Sequence, residues 1–300
     1  MNPLVDINIA SYNHANYLKH TLEGVLSQQT SFHYRILIGD DCSTDGSIEI
    51  IKEYERKFPD RISTIYQKIN LGLNHPEKNG IILLKKSTSK YIALLDGDDY
   101  WTDPLKLQKQ VDFLENNPDF AICFHAVTLL NEETQQTENK YYNKDVSTIE
   151  DLCQGNYIHT ASCIFRNGLI EKLPKWFSSS PVGDWPLYLM AAEHGKIKYI
   201  DEPMAVYRMH NKGIWSKQDR LGMFLKWRKV IILLNNHFKG KYKKYFYAGL
   251  TKTYLELVKL YRNENIFYSI FYSIKLLVIL KYNKFLVSRR GLIKILINGK

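Results

Sequence analysis

The sequence predicts an α/β fold, in which a sheet is flanked by helices, with a basic helical extension at the C-terminus. Apolar runs of strand length alternate with helical repeats through the first half of the chain, which is the pattern of β-α-β units. Charge also divides the 300 residues. Residues 217–300 contain 19 Lys or Arg and 3 Asp or Glu, a net charge of +16, against 22 and 28, or −6, elsewhere. We therefore predict one domain over residues 1–215 and a basic, aromatic-rich helical region over residues 216–300.

The overall composition, with 45% hydrophobic and 24% charged residues, is that of a folded protein rather than a disordered one. The N-terminal stretch MNPLVDINIA has no basic segment followed by an apolar one, so we expect no secretion signal and a cytoplasmic location. An acidic body with a basic tail argues against nucleic acid as a partner. This charge distribution suggests instead that the basic end of the protein contacts an anionic surface, such as membrane lipid headgroups.

The first two β-α units follow from periodicity. Val5, Ile7 and Ile9 alternate with polar residues, which predicts a strand. The apolar run over residues 34–39 predicts a second strand. After each strand, apolar residues recur with helical spacing and predict a helix. These residues are Tyr17, Leu18, Thr21, Leu22, Val25 and Leu26 in the first helix, and Ile48, Ile51, Tyr54 and Phe58 in the second.

Two more strands complete the predicted sheet. They span residues 62–66 and 91–95, with a helix over residues 81–85 between them. Alternation of this kind implies a parallel sheet with helices on both faces. In open sheets of this type, ligands bind beyond the carboxyl ends of the strands. We therefore expect one crevice to collect the polar side chains that follow three of the strands, which are Ser11, Tyr12, Asp41, Asp96 and Asp98.

Three carboxylates occupy four positions directly after the fourth strand. Asp96, Asp98 and Asp99 would repel one another, and a chain tolerates such crowding when a cation lies between the carboxylates. A hard divalent metal with oxygen ligands is the simplest such cation. The alternative is a solvated acidic turn, since Asp and Gly are ordinary turn residues. The convergence with Ser11 and Asp41 at the same edge favours the metal site.

The chain after residue 104 adds further elements. The spacing of Leu107, Val111 and Leu114 predicts a helix, and residues 121–130 predict a strand. We expect the polar segment 131–151 to be a mobile loop or an irregular insertion. The remaining predicted elements are a strand over residues 159–166 and a helix over residues 185–194, ended by Gly195.

The C-terminal region is predicted to be helical from Asp219 onward. Its most apolar stretch, residues 266–280, is 15 residues long and contains Lys275, so it is too short to span a bilayer comfortably. It is either a helix buried in a core or a helix at a membrane surface. The aromatic residues of this region could equally form a homodimer interface. They fall on helical apolar stripes without any nucleic-acid recognition motif.

Five segments of the sequence resemble, in order and in spacing, the family 2 glycosyltransferases of the GT-A fold. The resemblance covers roughly residues 3–215 and leaves the C-terminal region outside. The five segments are ASYNHANYLKHTLEGVLSQ, LIGDDCSTDGS, NLGLNHPEKNGI, YIALLDGDDYWTDPLKLQKQVDFL and VGDWPLYLMAAEHG. The resemblance implies a GT-A domain, which is a Rossmann-like nucleotide-binding sheet flanked by helices.

The resemblance also implies roles for residues on the donor side. In this family the first strand end and the Asp pair after the second strand hold the nucleotide base and ribose, which points to Ser11, Tyr12 and Asp41. Within the acidic motif, Asp96 lies near the ribose and Asp98 ligates the metal bound to the diphosphate, Mn²⁺ or Mg²⁺. The cation neutralises the charge that develops on the leaving diphosphate. Family habit alone makes uridine the expected base, with thymidine and guanosine as alternatives.

On the acceptor side, Asp184 stands where the family has its general base, with Trp185 beside it in contact with substrate. The alternative is that Asp184 caps the following helix. Gly183 replaces the usual Glu, which puts in doubt the acceptor contact of that Glu. Lys78 stands where many members place an Arg facing the diphosphate, and His210 lies in a segment resembling one that closes over the diphosphate, as a metal or phosphate ligand. A solvated helix lysine and a structural histidine are the alternatives.

The reaction implied is the inverting transfer of a sugar from a nucleoside-diphosphate sugar to an acceptor hydroxyl. We expect the acceptor to be a growing surface glycan on a lipid carrier, with the basic tail at the inner face of the cytoplasmic membrane. A non-catalytic scaffold that binds a nucleotide or glycan is the alternative, and the intact Asp98 and Asp184 argue against it. A nucleotidyltransferase is disfavoured because the N-terminal region lacks a Gly-rich phosphate loop.

Overall fold

The computed structural model describes residues 2–72, 75, 77–211, 213 and 219–282. Contacts within the chain divide it into two compact units. The first unit comprises Met1–Ile149, Tyr157–Ser179 and Gly183–Gly213, and the second unit comprises Glu150–Asn156, Ser180–Val182 and Ile214–Lys300. The second unit therefore takes two short segments from the middle of the chain as well as the C-terminal region.

The first unit is built on one sheet of mixed direction. Its strands are β1 (Val5–Ser11), β2 (Tyr34–Asp40), β3 (Ile62–Tyr66), β4 (Tyr91–Asp96), β5 (Tyr100–Trp101), β6 (Phe120–Asn131), β7 (Thr137–Lys140), β8 (Val146–Ser147), β9 (Ile164–Arg166) and β10 (Lys196–Met209). Strands β3, β2, β1 and β4 run parallel in that order. Strand β9 is antiparallel to both β4 and β6 and so joins the two halves of the sheet. Beyond it, β6 and β10 run parallel, and β5, β7 and β8 pair antiparallel with them.

The helices follow the strands in the predicted alternation. Those among the described residues are α1 (Ala15–Leu26), α2 (Ser47–Lys57), α3 (Asn79–Lys86), α4 (Lys106–Asn116), α5 (Ile149–Leu152), α6 (Asp184–Ala192), α7 (Arg220–His237), α8 (Lys243–Glu264) and α9 (Ile266–Tyr282). The first three connect the four parallel strands, as expected of β-α-β units. The predicted α/β fold, with a helix-flanked sheet and helices at the C-terminus, is confirmed.

The apolar core of the first unit explains why β1 lies inside the sheet. Val5, Ile7 and Ile9 alternate along β1 and are fully buried. Fully burying a side chain of this size contributes about 1.5–3 kcal/mol, so the alternation itself stabilises the strand in a central position. The core residues around these three include Ile36, Ile38, Leu18, Leu22, Val25, Leu107, Val111 and Leu114.

The polar residues that alternate with them in β1 are buried as well. The carboxylate of Asp6 accepts hydrogen bonds from Nε of Arg35 at 2.8 Å and from the backbone N–H groups of Thr88 and Ser89 at 2.7 and 2.9 Å. Burial alone would raise the pKa of Asp6, but these hydrogen bonds lower it below its ordinary value. One charged group therefore ties together β1, β2 and the segment that precedes β4.

Two predictions for the middle of the chain are wrong. Residues 131–151 are not a mobile loop, nor an irregular insertion throughout, because β7 pairs with β6, β8 pairs with β10, and α5 follows. Every residue of β7 is exposed, so this edge strand has no apolar alternation that would reveal it. Residues 159–166 form a 3₁₀ turn and then the three-residue β9, not one continuous strand. The helix predicted over residues 185–194 is α6, with shifted bounds.

The 14-residue strand β10 has no counterpart among the predicted elements. Its pairing with β6 shifts register around Pro203, between Ile200 and Ala205, so no single alternation runs along its length. Proline is also uncommon inside strands because it lacks the N–H that a ladder needs. These two features hide the strand in the sequence.

The second unit contains three consecutive helices, α7, α8 and α9. Helix α7 packs with α8, and α8 packs with α9. Asp219 caps α7, since its carboxylate accepts a hydrogen bond from the backbone N–H of Gly222 at 2.9 Å. No helix in the described part of the chain is long and apolar enough to cross a membrane. The buried side chains of the three helices include Phe224, Ile231, Leu234, Phe246, Tyr254, Leu257, Tyr272, Leu276 and Ile279.

We predict that Asp6→Asn destabilises the protein by about 2–3 kcal/mol at pH 7, the scale of hydrogen bonds to a buried charged group. Because the pKa of Asp6 is lower in the folded state than its ordinary value of 3.8, this stability is present above about pH 4 and is lost as the pH falls through the folded-state pKa. Urea unfolding at pH 7 and pH 3 measures the difference.

Glu115→Gln is the matched control, because Glu115 pairs with Lys90 at the exposed surface and such pairs contribute about 1 kcal/mol or less. An Asp6→Asn penalty that is the same at both pH values would show that the carboxylate charge is not what stabilises β1.

Candidate active site

The carboxyl ends of three parallel strands meet at one edge of the sheet. Ser11 at the end of β1 pairs in register with Asp40 of β2, and Ala10 pairs with Asp96 of β4. The backbone N–H of Asp41 donates to the carbonyl of Ser11 at 2.9 Å. The structure therefore brings Ser11, Asp41 and Asp96 to one edge, which is the arrangement that a parallel sheet imposes.

Residues 96–99, which we name the acidic turn, join β4 to β5. The hydroxyl of Thr21 in α1 lies 2.9 and 2.7 Å from the carbonyl oxygens of Gly97 and Asp99. A Cβ atom on Gly97 would stand 2.7 Å from Nδ1 of His14. Glycine is therefore required here by the close approach of the imidazole ring.

The carboxylate of Asp98 lies between two imidazole rings. Its Oδ2 atom is 3.0 Å from Nε2 of His210 and 3.6 Å from Nε2 of His14. Burial alone would raise the pKa of Asp98, but the hydrogen bond from His210 and the charge interaction with His14 lower it below its usual value. Within the described structure, Nδ1 of each ring is buried without a hydrogen-bond partner. The sequence predicts His210 in this place but not His14.

The other two carboxylates of the acidic turn titrate in the opposite direction. Burial and the negative charges of Asp98 and Asp184 raise the pKa of Asp96 to about 8. Burial and the charges of Asp98 and Asp96 also raise the pKa of Asp99. The surroundings of the turn therefore move the pKa values of its three carboxyl groups apart, with that of Asp98 lowered and those of Asp96 and Asp99 raised. The negative charge of Asp184 acts on the pKa of Asp96, so Asp184 lies close enough to the acidic turn to interact with it electrostatically.

Helix α6 positions Asp184 as its first residue, with Gly183 at the N-cap position. Asp184 is therefore not the N-cap itself, although an acidic residue in the first turn interacts favourably with the helix dipole. Asp184 is half-buried. The indole of its neighbour Trp185 is 3% exposed, so the contact of Trp185 with substrate stays a prediction.

Three further predicted residues have distinct surroundings. The ring of Tyr12, just beyond β1, is 45% exposed. The two carboxylate oxygens of Asp41 accept hydrogen bonds from the backbone N–H groups of Leu71 and Gly72 at 2.8 and 2.9 Å, so Asp41 orders the loop after β3. Lys78 is half-buried and stands at the N-cap position of α3.

Arg208 links β10 to the acidic turn and is not predicted from the sequence. Its backbone N–H donates to Oδ1 of Asp99 at 2.9 Å, and its guanidinium donates to the carbonyl of Asp98 at 2.6 Å. The guanidinium also lies 2.8 Å from a carboxylate oxygen of Glu132. It faces two aromatic rings, at 5.1 Å from the centroid of Tyr17 and 4.4 Å from that of Tyr100. Arg208 is 7% exposed, so these contacts fix the turn from inside the protein.

A signal for this cluster is present in the segment AVYRMH. Val206, Arg208 and His210 are spaced by two, which puts them on one face of an extended chain. This spacing indicates a shared face only if the segment is assigned as a strand. Because β10 shifts register around Pro203, the sequence shows no continuous alternation that would support that assignment.

The donor atoms beside Asp98 suit a divalent cation that is shared with a further ligand. Oδ2 of Asp98 and Nε2 of His210, which are 3.0 Å apart, are the two donor atoms that could hold such a cation. The carboxylate oxygen suits Mg²⁺ or Mn²⁺, and the imidazole nitrogen favours a transition metal. Across residues 2–72, 77–211 and 219–282, no group of three His, Cys, Asp or Glu side chains could hold a metal alone. Additional ligands would come from a bound molecule.

Comparison with known proteins shows which protein family the sequence matches. Residues 6–173 match the sequence model of glycosyl transferase family 2. An uncharacterized protein of Mycobacterium tuberculosis is 36% identical over 209 residues, which cover 68% of this chain and 58% of that protein. The chain thus spans less than two thirds of the length of that relative. A putative teichuronic acid biosynthesis glycosyltransferase of Bacillus subtilis is 28% identical over 220 residues, which cover 72% of this chain and 83% of the relative.

Two solved structures share the fold. Residues 1–349 of S. aureus TarS, in complex with UDP, superpose with a TM-score of 0.60 and 15% sequence identity, covering 83% of this chain and 71% of that one. The mannosyltransferase PcManGT from Pyrobaculum calidifontis, in complex with GDP-Man and Mn²⁺, gives a TM-score of 0.57 and 14% identity, covering 100% and 89%. At these identities the likeness concerns the fold, and it agrees with the predicted GT-A architecture.

We predict that Arg208→Leu destabilises the protein by about 2–3 kcal/mol, because it removes the charged hydrogen bond to the carbonyl of Asp98 and leaves the carboxylate of Glu132 without its cationic partner. Urea unfolding at pH 7 measures this loss. Glu132→Gln is the matched control: it removes one half-exposed partner of the same guanidinium and costs about 1 kcal/mol or less. Equal losses in the two variants would contradict the view that Arg208 fixes the acidic turn.

Proposed function

We propose that this chain, which belongs to glycosyl transferase family 2, transfers a sugar from a nucleoside-diphosphate donor to an acceptor hydroxyl with inversion of configuration. The observation that carries the proposal is the position of Asp98. It is the carboxyl group of the acidic turn whose pKa is lowered, it lies 3.0 Å from His210, and it follows β4 at the edge where Ser11 and Asp41 also lie. Such an edge is where open α/β sheets bind nucleotides.

Three residues are proposed to hold the base and ribose of the donor. Oγ of Ser11 is buried without a hydrogen-bond partner in the described structure, so a ligand hydroxyl or N–H would satisfy it. The exposed ring of Tyr12 offers a face on which a base can stack. The carboxylate of Asp41 accepts two backbone hydrogen bonds and retains lone pairs that can accept from a base N–H. Asp96 is proposed to lie near the ribose.

The donor is proposed to be a uridine-diphosphate sugar. The solved neighbours support a nucleoside diphosphate in general, since S. aureus TarS is described with UDP and with UDP-GlcNAc, and PcManGT with GDP-Man. Lys78 is proposed to face the diphosphate as a cationic contact. Guanosine and thymidine diphosphates are the alternatives that the experiment below separates.

Asp98 and His210 are proposed to hold Mn²⁺ or Mg²⁺ together with oxygens of the diphosphate. When bound, the cation neutralises the negative charge that develops on the leaving diphosphate. The protein's part is to keep the two donor atoms in place. Arg208 does so for Asp98 by donating to its carbonyl, and the close approach of His14 restricts the other side of the turn. PcManGT, described with Mn²⁺, supports this choice of cation.

Asp184 is proposed as the general base. It would take the proton from the acceptor hydroxyl while that oxygen attacks the anomeric carbon on the face opposite the diphosphate, which inverts the configuration. Trp185 is proposed to contact the substrate beside it. Because Gly183 stands where the family usually has Glu, the acceptor is held by other groups than a second carboxylate at this position.

The acceptor is proposed to be a growing surface polysaccharide on a lipid carrier at the cytoplasmic face of the membrane. The relative from Bacillus subtilis, described as a putative teichuronic acid biosynthesis glycosyltransferase, supports a polysaccharide product. The net charge of +16 over residues 217–300 supports a membrane-side location, since anionic lipids attract basic segments. A homodimer through the C-terminal helices is the alternative use of that region.

We predict that one of UDP, GDP and dTDP stabilises the wild-type protein in a thermal melt only when Mn²⁺ is present. At a hundred times its dissociation constant, a ligand adds about 2.7 kcal/mol, which is a readily measured shift. Asp98→Asn should abolish the cation-dependent part of the shift because it removes the charged oxygen ligand. The control is Asp112→Asn, an exposed substitution on α4 that should leave the shift intact. A shift of the same size in Asp98→Asn would sink the assignment of the donor site.

We predict that Asp184→Asn lowers kcat by about 10²–10⁴-fold, the usual contribution of a general base. Donor affinity, measured by titration of the identified diphosphate with Mn²⁺, should change less than about twofold, because the base acts on the acceptor. Glu193→Gln, at the other end of the same helix, is the control and should leave kcat unchanged. Donor binding by the wild type without transfer to any acceptor would favour the non-catalytic scaffold instead.

A further inference from the structure

Helix α9 has an outward face that is apolar and uncovered by the described residues of the second unit. Its inward face consists of Ser269, Tyr272, Leu276 and Ile279, which are buried. On the other side, six large side chains are between 43% and 81% exposed. With 3.6 residues per turn, these six positions fall within a sector of about 120°. We name this face the outer stripe; it consists of Phe267, Ile270, Phe271, Ile274, Leu277 and Val278.

The outer stripe is larger than the scattered exposed apolar residues of an ordinary surface. Contiguous apolar patches of several large side chains mark interaction sites on soluble proteins. Lys275 directly follows Ile274 of the stripe in the sequence. By helical spacing, it lies at the edge of the apolar sector. Val278 of the stripe and Lys275 also line a cavity of about 260 Å³, together with Ile232, Leu250, Asn235 and Tyr247.

Charge decides which occupant fits this surface. Residues 219–282 alone contain 13 Lys or Arg and 3 Asp or Glu, a net charge of +10, and residues 217–300 reach +16. Two copies of this region meeting through the outer stripe would bring like charges of that size together, which opposes a symmetric dimer. An anionic lipid surface is attracted by the same charges.

The length of α9 decides how it would meet a bilayer. Its 17 residues span about 25 Å at 1.5 Å per residue, less than the roughly 30 Å of a hydrocarbon core. No helix of the described chain is long and apolar enough to cross. A helix with one buried face and one exposed apolar face is instead suited to lie in the interface plane.

We propose that the outer stripe inserts into the boundary between headgroups and acyl chains of an anionic bilayer, with α9 parallel to the membrane surface. The inference rests on the membrane-side location proposed above and deepens it by naming the surface that makes the contact. The stripe supplies the apolar insertion, and the net charge of +10 over residues 219–282 supplies the attraction to anionic headgroups.

The test is co-sedimentation of the full-length protein with vesicles at physiological salt, using phosphatidylcholine alone or mixed with phosphatidylglycerol. We expect binding to the mixed vesicles and little to phosphatidylcholine alone. Phe267→Ser/Ile270→Ser/Ile274→Ser removes apolar area without changing charge, and should lower the partition coefficient by at least about tenfold. The matched control is Leu105→Ser/Tyr141→Ser/Val146→Ser, three exposed apolar residues of the first unit, which should bind as the wild type does.

A second measurement separates insertion from surface adsorption. Tryptophan fluorescence of Ile274→Trp should be quenched by brominated acyl chains when vesicles are added, beyond the quenching seen for the unsubstituted protein. Unchanged vesicle binding by the triple serine stripe variant, equal binding to neutral vesicles, or no added quenching would each overturn the proposal. So would a concentration-dependent dimer that the stripe variant abolishes. Nucleotide-dependent thermal shifts of the stripe variant report the donor site separately, so failure of membrane docking and failure of the proposed activity are distinguishable.

Discussion

The candidate site depends on one tight turn that holds three carboxyl groups close together and moves their pKa values apart. Burial and mutual repulsion raise the pKa of Asp96 and Asp99, whereas two imidazole rings keep the pKa of Asp98 low. Arg208 completes the arrangement by bonding the carbonyl of Asp98 and the carboxylate of Asp99 from inside the protein. The result is a carboxyl group with a lowered pKa in a fixed position, which suits the proposed role of Asp98 as an oxygen ligand of a divalent cation.

The fold assembles this turn from two halves of one sheet. The parallel half supplies Ser11, Asp41 and the acidic turn from the ends of β1, β2 and β4. The other half, joined through the short antiparallel β9, supplies Arg208 from β10 and His210 directly after it. The two proposed cation ligands, Asp98 and His210, thus come from different halves of the sheet, so the site exists only when both halves have formed.

The sequence predicts the parallel half well because two independent sequence patterns indicate it. Val5, Ile7 and Ile9 alternate and are buried, and the crowded carboxylates follow β4 directly. Other parts of the sheet show neither pattern. The edge strand β7 is polar on both faces, and the register of β10 is broken around Pro203, so the role of Arg208 cannot be read from periodicity. The raised pKa values of Asp96 and Asp99 also depend on burial in three dimensions, which spacing along a chain does not report.

Pulsed electron paramagnetic resonance of Mn²⁺, bound together with the nucleoside diphosphate that stabilises the protein, tests the proposed cation site directly. We expect modulation from one imidazole nitrogen in the wild type. That modulation should disappear in His210→Gln. Mn²⁺ binding itself should weaken by at least about tenfold in Asp98→Asn, since even the loss of a residue that only hydrogen-bonds to a metal ligand lowers metal affinity by about that factor. Identical Mn²⁺ affinity and identical spectra in the wild type and both variants would contradict the assignment of Asp98 and His210 as the cation site.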